Sequence, residues 1–378
     1  MPAVEHDSPL SPLDDYPVHQ ISEPMRHVGT GDRNFYDRYY FNAHTKNAEI
    51  FLIAGVGQYP NLGVSDAFVL VLHEQQQRVV RASRELGADR MDTGVGPIHV
   101  EVKEGLKVVK LVCDPNEFGI ECELTWTGAS IAHLEPRHFI RRYGRVTFDS
   151  SRFAQTGCWS GHLVVDGKEF NVTPDKWWGT RDRSWGIRPV GEPEPPGIQY
   201  SRGLPTFFWN YAPMQFDNYS ILYILQEEPD GTRIMEEAVR VYPIESGLAP
   251  DSLGKPEHEL EFLPGTRDIA KAKLHFTETD GSPLTVTVER LLPCHLGVGT
   301  GYGFDADWRH GMWQGPLKVE GVHFDLTKPD DAAKMMGIVD SVARFTTSTG
   351  DVGYGLWEYF VLGPHDRYGF KGWDDVAP

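Results

Sequence analysis

The chain has 378 residues, enough for about two domains at roughly 100–200 residues each. Hydrophobic residues make up 40% and charged residues 24%, a balance that permits a sizeable folded core and excludes a disordered chain. The net charge of -18 repels phosphate backbones and anionic lipid headgroups, so neither nucleic acid nor a membrane surface is expected as a partner.

Residues 1–30 are rich in Pro, Asp, Ser and His and lack periodicity, which predicts an extended arm. The first residues contain no basic segment followed by an apolar one, so we expect no signal peptide and a cytoplasmic location. No apolar run approaches the ~20 residues of a membrane-spanning helix, and we therefore expect no insertion into a membrane.

Short strands separated by turns follow from residue 34 onward. Residues 67–72 are a continuous apolar run, typical of a buried strand. Gly-containing turns between apolar segments predict further hairpins, at residues 166–167, 229–231, 280–281 and 348–350. One short helix is predicted, at residues 329–336. Repeated short strands with Gly and Pro between them favour an all-β fold of the sandwich or barrel type.

Residues 177–188 have the most unusual composition in the chain, with three Trp, three Arg, two Gly and one Asp in twelve positions. In an aromatic cavity with little water, desolvation would raise the pKa of Asp182 and make it a general acid. The alternative is structural. An ion pair with Arg181, Arg183 or Arg188 would lower that pKa and leave the carboxylate without a catalytic role.

Three other segments carry candidate polar groups. Asn210 and Tyr211 lie in an aromatic strand at residues 207–214, where either a substrate or the backbone would satisfy them. His310 follows a Gly-rich stretch that lacks the Lys-Ser/Thr of a nucleotide loop, and it is either a donor to a substrate oxygen or a structural residue. Glu358 shares a strand face with apolar neighbours, where it either provides a second carboxyl for acid–base chemistry or pairs with an arginine.

Motifs for several other chemistries are absent. The sequence has no serine-hydrolase elbow, no zinc-protease motif, no Walker sequence and no dinucleotide fingerprint. The four cysteines are not at the spacings of a zinc site. We therefore expect no metal and no cofactor, which leaves cofactor-independent chemistry or ligand binding.

The order of motifs resembles a known family. A strand-turn-strand pattern precedes Gly-x-Arg-Asp-x-Ser-Trp-Gly-x-Arg and an aromatic strand follows it, while Trp-Arg-His-Gly at residues 308–311 and Glu-Tyr at 358–359 are also similar. The arrangement resembles bacterial lipocalin-like double-barrel proteins related to carotenoid hydratases, in particular the branch with paired domains of unknown function. The matching residues of the central motif are Gly179, Arg181, Asp182, Ser184, Trp185, Gly186 and Arg188.

The chain departs from that family at one position, where the family commonly has His directly after the Asp. Here the position is Arg183, whose guanidinium stays protonated. A fixed positive charge beside Asp182 would favour the ionised carboxylate, unless the Arg183 side chain points away.

The resemblance implies an all-β chain of two packed, calycin-type antiparallel barrels with few short helices. With a Pro- and Gly-rich linker at residues 189–205, we place the first barrel at residues 31–190 and the second at 191–378. The resemblance further implies a hydratase, dehydratase or isomerase that uses acid–base chemistry in a barrel cavity on an apolar terpenoid, steroid-like or aromatic molecule. The alternative is a protein that binds a hydrophobic ligand without catalysis. The oligomeric state stays open, a homodimer included.

In the enzyme hypothesis, Asp182 is the acid that protonates the substrate. Tyr211 together with Asn210 orients the substrate, and Glu358 or His310 guides the water molecule. The residues expected to bind the substrate are Trp178, Trp185, Arg188, Trp209 and Asn210, with Trp178 and Trp185 as the apolar, cation-stabilising wall.

Overall fold

The computed structural model describes residues 8–195 and 205–378. Within these ranges, 22 strands form two curled antiparallel sheets, each of which makes a barrel-like half of the molecule. Among the described residues, helical structure is limited to a four-residue helix, α1 (Pro329–Ala332), and short 3-10 turns at Pro12–Asp15, Ile244–Ser246 and Asp366–Tyr368. The predicted all-β fold of two packed barrels with few helices is therefore confirmed.

The first twelve strands alternate with short turns in the N-terminal half. They are β1 (Phe35–Thr45), β2 (Ile50–Tyr59), β3 (Val64–His73), β4 (Gln76–Glu85), β5 (Ile98–Glu104), β6 (Val108–Cys113), β7 (Ile120–Gly128), β8 (His133–Leu134), β9 (His138–Arg142), β10 (Arg145–Val165), β11 (Lys168–Val172) and β12 (Trp177–Ile187).

The C-terminal half contributes ten more strands among the described residues. They are β13 (Phe207–Gln215), β14 (Ser220–Glu227), β15 (Arg233–Val241), β16 (Asp251–Ser252), β17 (Glu257–Phe262), β18 (Ile269–Thr277), β19 (Pro283–His295), β20 (Leu317–Asp325), β21 (Val339–Thr347) and β22 (Val352–Leu362).

The predicted hairpins are present, and their turns have the expected backbone geometry. Asp166 and Gly167 join β10 to β11 with φ angles of 51° and 79°. Positive φ at both central residues is the requirement of a type I′ turn, which matches the twist of the flanking strands. The predicted helix at residues 329–336 is shorter than expected, because α1 ends at Ala332.

The first sheet has the strand order β20-β4-β3-β2-β1-β12-β10-β7-β6-β5, with β8, β9 and β11 also paired to β10. The second sheet has the order β16-β15-β14-β13-β22-β21-β19-β18-β17. Strand β20 thus comes from the C-terminal half but pairs with β4 in the first sheet, with Val319 opposite Ala82. The chain leaves the second sheet after β19, completes the edge of the first sheet, and returns to form β21.

Three apolar cores hold the sheets together. One lies inside the curl of the first sheet around Trp126 and Trp159, and a second lies inside the other sheet around Phe345 and Trp357. The third combines residues of both sheets and packs one sheet against the other. The apolar run at residues 67–72 serves two of these cores, because successive side chains of β3 point to opposite faces.

The predicted arm and linker lie partly outside the described residues, which begin at residue 8 and omit 196–204. Residues 8–34 run as coil and a 3-10 turn before β1 begins. In the part of the chain that is described, no helix has the length and apolarity needed to cross a bilayer.

Candidate functional site

A cavity of about 700 Å³ lies between the two sheets. Its walls come from β1, β10 and β12 of the first sheet, from β13 and β22 of the second, and from the segment around residues 301–310. Because each barrel interior is filled by its own apolar core, the open space is at the junction of the barrels and not inside one of them.

Strand β12 forms part of the cavity wall through alternate residues. Asp182 and Ser184 line the cavity. Arg183 points to the opposite face of the sheet, where it pairs with Asp37 and its guanidinium carbon lies 3.9 Å from the centre of the Tyr39 ring. The residue that departs from the family pattern thus points away from Asp182 and does not hold its carboxylate in the ionised form.

The Asp182 carboxyl is almost buried, with 12% of its side chain exposed. Its nearest cation is Arg152, at 3.9 Å between Nη1 and Oδ2, and Arg152 is itself bound by Glu135 through contacts of 2.5 and 3.2 Å. Burial raises the pKa of Asp182 to about 7, and the negative charges of Glu135 and Glu358 add to the effect of burial against the attraction of Arg152 and Arg188. The carboxyl is therefore poised to give or take a proton near neutral pH.

A pair of acids, Asp340 and Glu358, lies on the second sheet, and Glu358 lines the cavity. Asp340 and Glu358 are directly opposite each other on β21 and β22. The Tyr40 hydroxyl donates to Asp340 Oδ2 at 2.5 Å, and the Trp209 indole N–H donates to Glu358. Burial and then the charge of Glu358 raise the pKa of Asp340 well above its usual range. Asp340 therefore keeps its proton in the folded protein, next to the Glu358 carboxyl.

Sequence reasoning found Glu358 but missed Asp340, Glu135 and Arg152. The signal for Asp340 was present in the predicted hairpin with its turn at residues 348–350. A turn that places Thr346 opposite Val352 also places Asp340 opposite Glu358, six pairs further along the ladder.

A basic part of the cavity wall contains Arg38, Arg188 and His310. His310 Nε2 lies 3.0 Å from the Thr300 carbonyl oxygen, and its Nδ1 lies 3.5 Å from Arg188 Nη2. Burial, followed by the charges of Arg38 and Arg188, lowers the pKa of His310 well below its usual range. His310 is therefore neutral, with its proton on Nε2 and a lone pair on Nδ1 facing Arg188. Both ring nitrogens are engaged, so the ring orients Arg188.

Apolar side chains of both halves of the chain line much of the rest of the cavity. The aromatic ones are contributed mainly by β13, β22 and the segment after residue 301. The apolar lining includes Ile140, Phe148, Phe207, Trp209, Ile224, Met235, Phe304, Ile338 and Phe360. The cavity wall thus combines acidic and basic side chains with a larger apolar part. Among the described residues, no group of three or more His, Cys, Asp or Glu side chains is arranged to hold a metal ion.

Two tryptophans predicted to bind substrate are outside this cavity. Trp185 lies on the same face of β12 as Arg183 and is 37% exposed. Trp178 is on the cavity face, but four residues of strand separate it from Asp182, a distance of roughly 13 Å. It packs instead under the Lys46 ammonium, 3.6 Å from its ring centre. Of the predicted tryptophans, Trp209 is the one that lines the cavity.

The predicted orienting pair is also separated by strand alternation. Asn210 points into the core of the second barrel, where it accepts from the Trp357 indole at 2.9 Å and contacts the Tyr223 hydroxyl at 3.3 Å. Tyr211 faces the first barrel and is buried beneath Arg152, whose guanidinium carbon lies 4.3 Å from the centre of its ring. Neither side chain forms part of the cavity wall, and Tyr211 supports the position of Arg152.

Comparison with known proteins identifies the group to which the chain belongs. The sequence profile of a family of unknown function, DUF8625, matches residues 10–371. The chain belongs to this family. The comparison with functionally curated proteins gave no match.

Solved structures share the fold at low sequence identity. Kievitone hydratase from Nectria haematococca superposes with a TM-score of 0.52 at 12% identity, over 92% of this chain and 94% of that one. A candidate AttH protein from Nitrosomonas europaea gives a TM-score of 0.51 at 12% identity, over 91% of this chain and 98% of that one. The resemblance to a double-barrel family that includes hydratases and members of unknown function is confirmed at the level of the fold.

Proposed function

We propose that the chain is an enzyme that adds water to, or removes it from, an apolar small molecule in the cavity between the barrels. The observation that carries the proposal is Asp182, a carboxyl in the wall of a 700 Å³ cavity whose pKa is raised to about 7. An acid of that pKa is protonated in about half of the molecules at pH 7, which suits a group that must both give and take a proton.

In the hydration direction, Asp182 transfers its proton to one carbon of a substrate double bond. A C–H bond forms, the π bond is lost, and positive charge develops on the neighbouring carbon while Asp182 becomes a carboxylate. The aromatic face of Trp209 and the negative carboxyls around it stabilise that charge. Dehydration is the same path in reverse, with Asp182 as the base.

The Asp340–Glu358 pair supplies the second half of the reaction. Glu358 reaches the cavity surface, where it accepts a proton from a water molecule as that oxygen bonds to the cationic carbon. Tyr40 and Trp209 hold the two carboxyls in place through their hydrogen bonds. Return of the proton to Asp182 through cavity water completes the cycle.

The fold shared with kievitone hydratase is compatible with this proposal, and the apolar part of the cavity wall favours a terpenoid, steroid-like or aromatic substrate. Non-catalytic binding of the same kind of molecule is the competing hypothesis. That hypothesis requires the cavity, but it does not require the two separate acids Asp182 and Glu358 in the cavity wall.

The test is incorporation of water oxygen. The purified protein is incubated with a panel of terpenoid, steroid and prenylated aromatic alkenes in H2 18O, and products are followed by mass spectrometry for the gain of one labelled water. We expect Asp182→Asn to lose turnover by at least about 100-fold, the usual contribution of a general acid, while it retains ligand binding.

Asp330→Asn is the matched control, because Asp330 is an exposed residue of α1 far from the cavity wall. It should leave turnover unchanged. If Asp182→Asn folds, binds and turns over like the control, Asp182 is not the acid. If no alkene gains labelled water with the wild-type protein, the binding hypothesis replaces the enzyme.

A further inference from the structure

Arg188 lies in the cavity wall and has no carboxylate partner among the described residues. Within residues 8–195 and 205–378, no carboxylate lies within ion-pair distance of Arg188. Its contacts are His310 Nδ1 at 3.5 Å and the ring of Tyr36, whose centre is 4.3 Å from the guanidinium carbon. A partly buried guanidinium is costly to leave unpaired, so its remaining N–H groups are available to an anion in the cavity.

Arg38 also lines the cavity. Its Nη1 is bound to Asp66 at 2.9 Å and to the Tyr59 hydroxyl at 2.8 Å. Its Nε and Nη2 have no hydrogen-bond partner among the described residues, but they are buried inside the wall and do not reach the cavity surface. Arg38 therefore brings neither excess charge nor free donors to the cavity, and Arg188 supplies the donors here.

His310 fixes the direction of these donors. Since its Nε2 proton is held by the Thr300 carbonyl oxygen, its Nδ1 can only accept, and it accepts from Arg188. The guanidinium is thereby held against Tyr36 with its other edge free. A planar, oriented guanidinium matches the two oxygens of a carboxylate better than a flexible ammonium does.

We propose that Arg188, supported by His310, binds a carboxylate on the ligand, so that the cavity selects amphipathic acids over neutral molecules of the same shape. The register of β1 and β12 sets Arg38 opposite Ser184 and Tyr40 opposite Asp182. The carboxylate therefore binds on the same wall of the cavity as the proton donor, with Arg38 two residues of strand, roughly 7 Å, from Tyr40. Its position relative to a proton donor rests on the proposed function, whereas anion binding at Arg188 does not.

A matched pair of fluorescent probes tests the proposal, namely 11-(dansylamino)undecanoic acid and its methyl ester. The two share the apolar body and differ in the carboxylate. We expect the wild-type protein to bind the acid at least about tenfold more tightly than the ester. Arg188→Gln should weaken binding of the acid about tenfold and leave the ester within twofold, and Arg188→Lys should fall between them.

Arg344→Gln is the control for loss of one positive charge, because Arg344 is half-exposed on β21 and pairs with Glu289 outside the cavity. It should preserve the acid-to-ester preference. Equal affinity of the wild type for acid and ester, an unchanged preference in both Arg188 variants, or no saturable binding of either probe would overturn the proposal.

The same probes keep this inference separate from the proposed function. Asp182→Asn should retain the preference for the acid, because Asp182 does not contact the carboxylate. A protein that prefers the acid but incorporates no labelled water refutes the hydratase and leaves the anion site standing. A protein that incorporates labelled water but binds acid and ester equally refutes the anion site alone.

Discussion

Asp182 has a raised pKa because of the groups that its strand turns toward the cavity. Arg181 and Arg183 are its neighbours in sequence, but they lie on the opposite face of β12 and form their contacts there. On the cavity side, burial and the charge of Glu358 outweigh the attraction of Arg152. The protonation of one residue therefore depends on strands from both halves of the chain.

The raised pKa of Asp182 predicts how stability changes with pH. In the unfolded chain Asp182 loses its proton near pH 4, whereas in the folded protein it keeps the proton to about pH 7. Between these values the folded state binds more protons, so the free energy of unfolding should fall as the pH rises, by at most about 1.4 kcal/mol per unit. The decrease in the free energy of unfolding that Asp182 causes is complete above pH 7.

Urea unfolding of Asp182→Asn and wild type from pH 4.5 to 8 measures this contribution. The variant should lack the Asp182 contribution, so it should gain stability relative to wild type as the pH rises. Asp330→Asn should keep the wild-type dependence. A constant difference between wild type and Asp182→Asn across the range would show that the carboxyl is not protonated in the folded protein.

Hairpin β21–β22 shows how far a site can be predicted from the sequence at the level of an element. The alternation of β22 and the turn at residues 348–350 together determine that Asp340 and Glu358 share one face. The same alternation separates Asn210 from Tyr211, and Trp185 from Asp182. Which face meets the cavity is decided by packing between sheets, and composition alone does not contain that information. The Trp-rich segment therefore contributes to the cavity wall, but only alternate side chains of it face the cavity.

The same hairpin predicts unequal effects of two substitutions at Asp340. Asp340→Ala leaves the Tyr40 hydroxyl buried without an acceptor, which should cost about 1–3 kcal/mol of unfolding free energy. Asp340→Asn keeps an oxygen for Tyr40 and has an amide N–H in place of the Asp340 O–H, so the loss should be below about 1 kcal/mol. Urea unfolding of both variants at pH 6 makes the comparison. Equal losses would mean that Tyr40 gains nothing from Asp340.

At the scale of the whole molecule, the two halves are joined by more than a linker. The third apolar core buries faces of both sheets, and β20 supplies the edge of the first sheet from the second half of the chain. Local sequence does not identify the partner of β20, because β4 lies more than 230 residues earlier in the chain. The cavity exists only where the halves meet, so it was not foreseeable from either half alone.

This arrangement predicts that the halves unfold together. Differential scanning calorimetry of the full chain should give one transition. Unfolding of the C-terminal half would remove β20 from the first sheet and expose the edge of β4. Val322→Asp places a charge in the core between the sheets and should lower that single transition by several degrees, for a cost of about 2 kcal/mol. Hydrogen exchange should then show faster exchange in β3 and β4 as well as in β21 and β22. Two resolved transitions, or faster exchange confined to the C-terminal half, would mean that each barrel is stable without its partner.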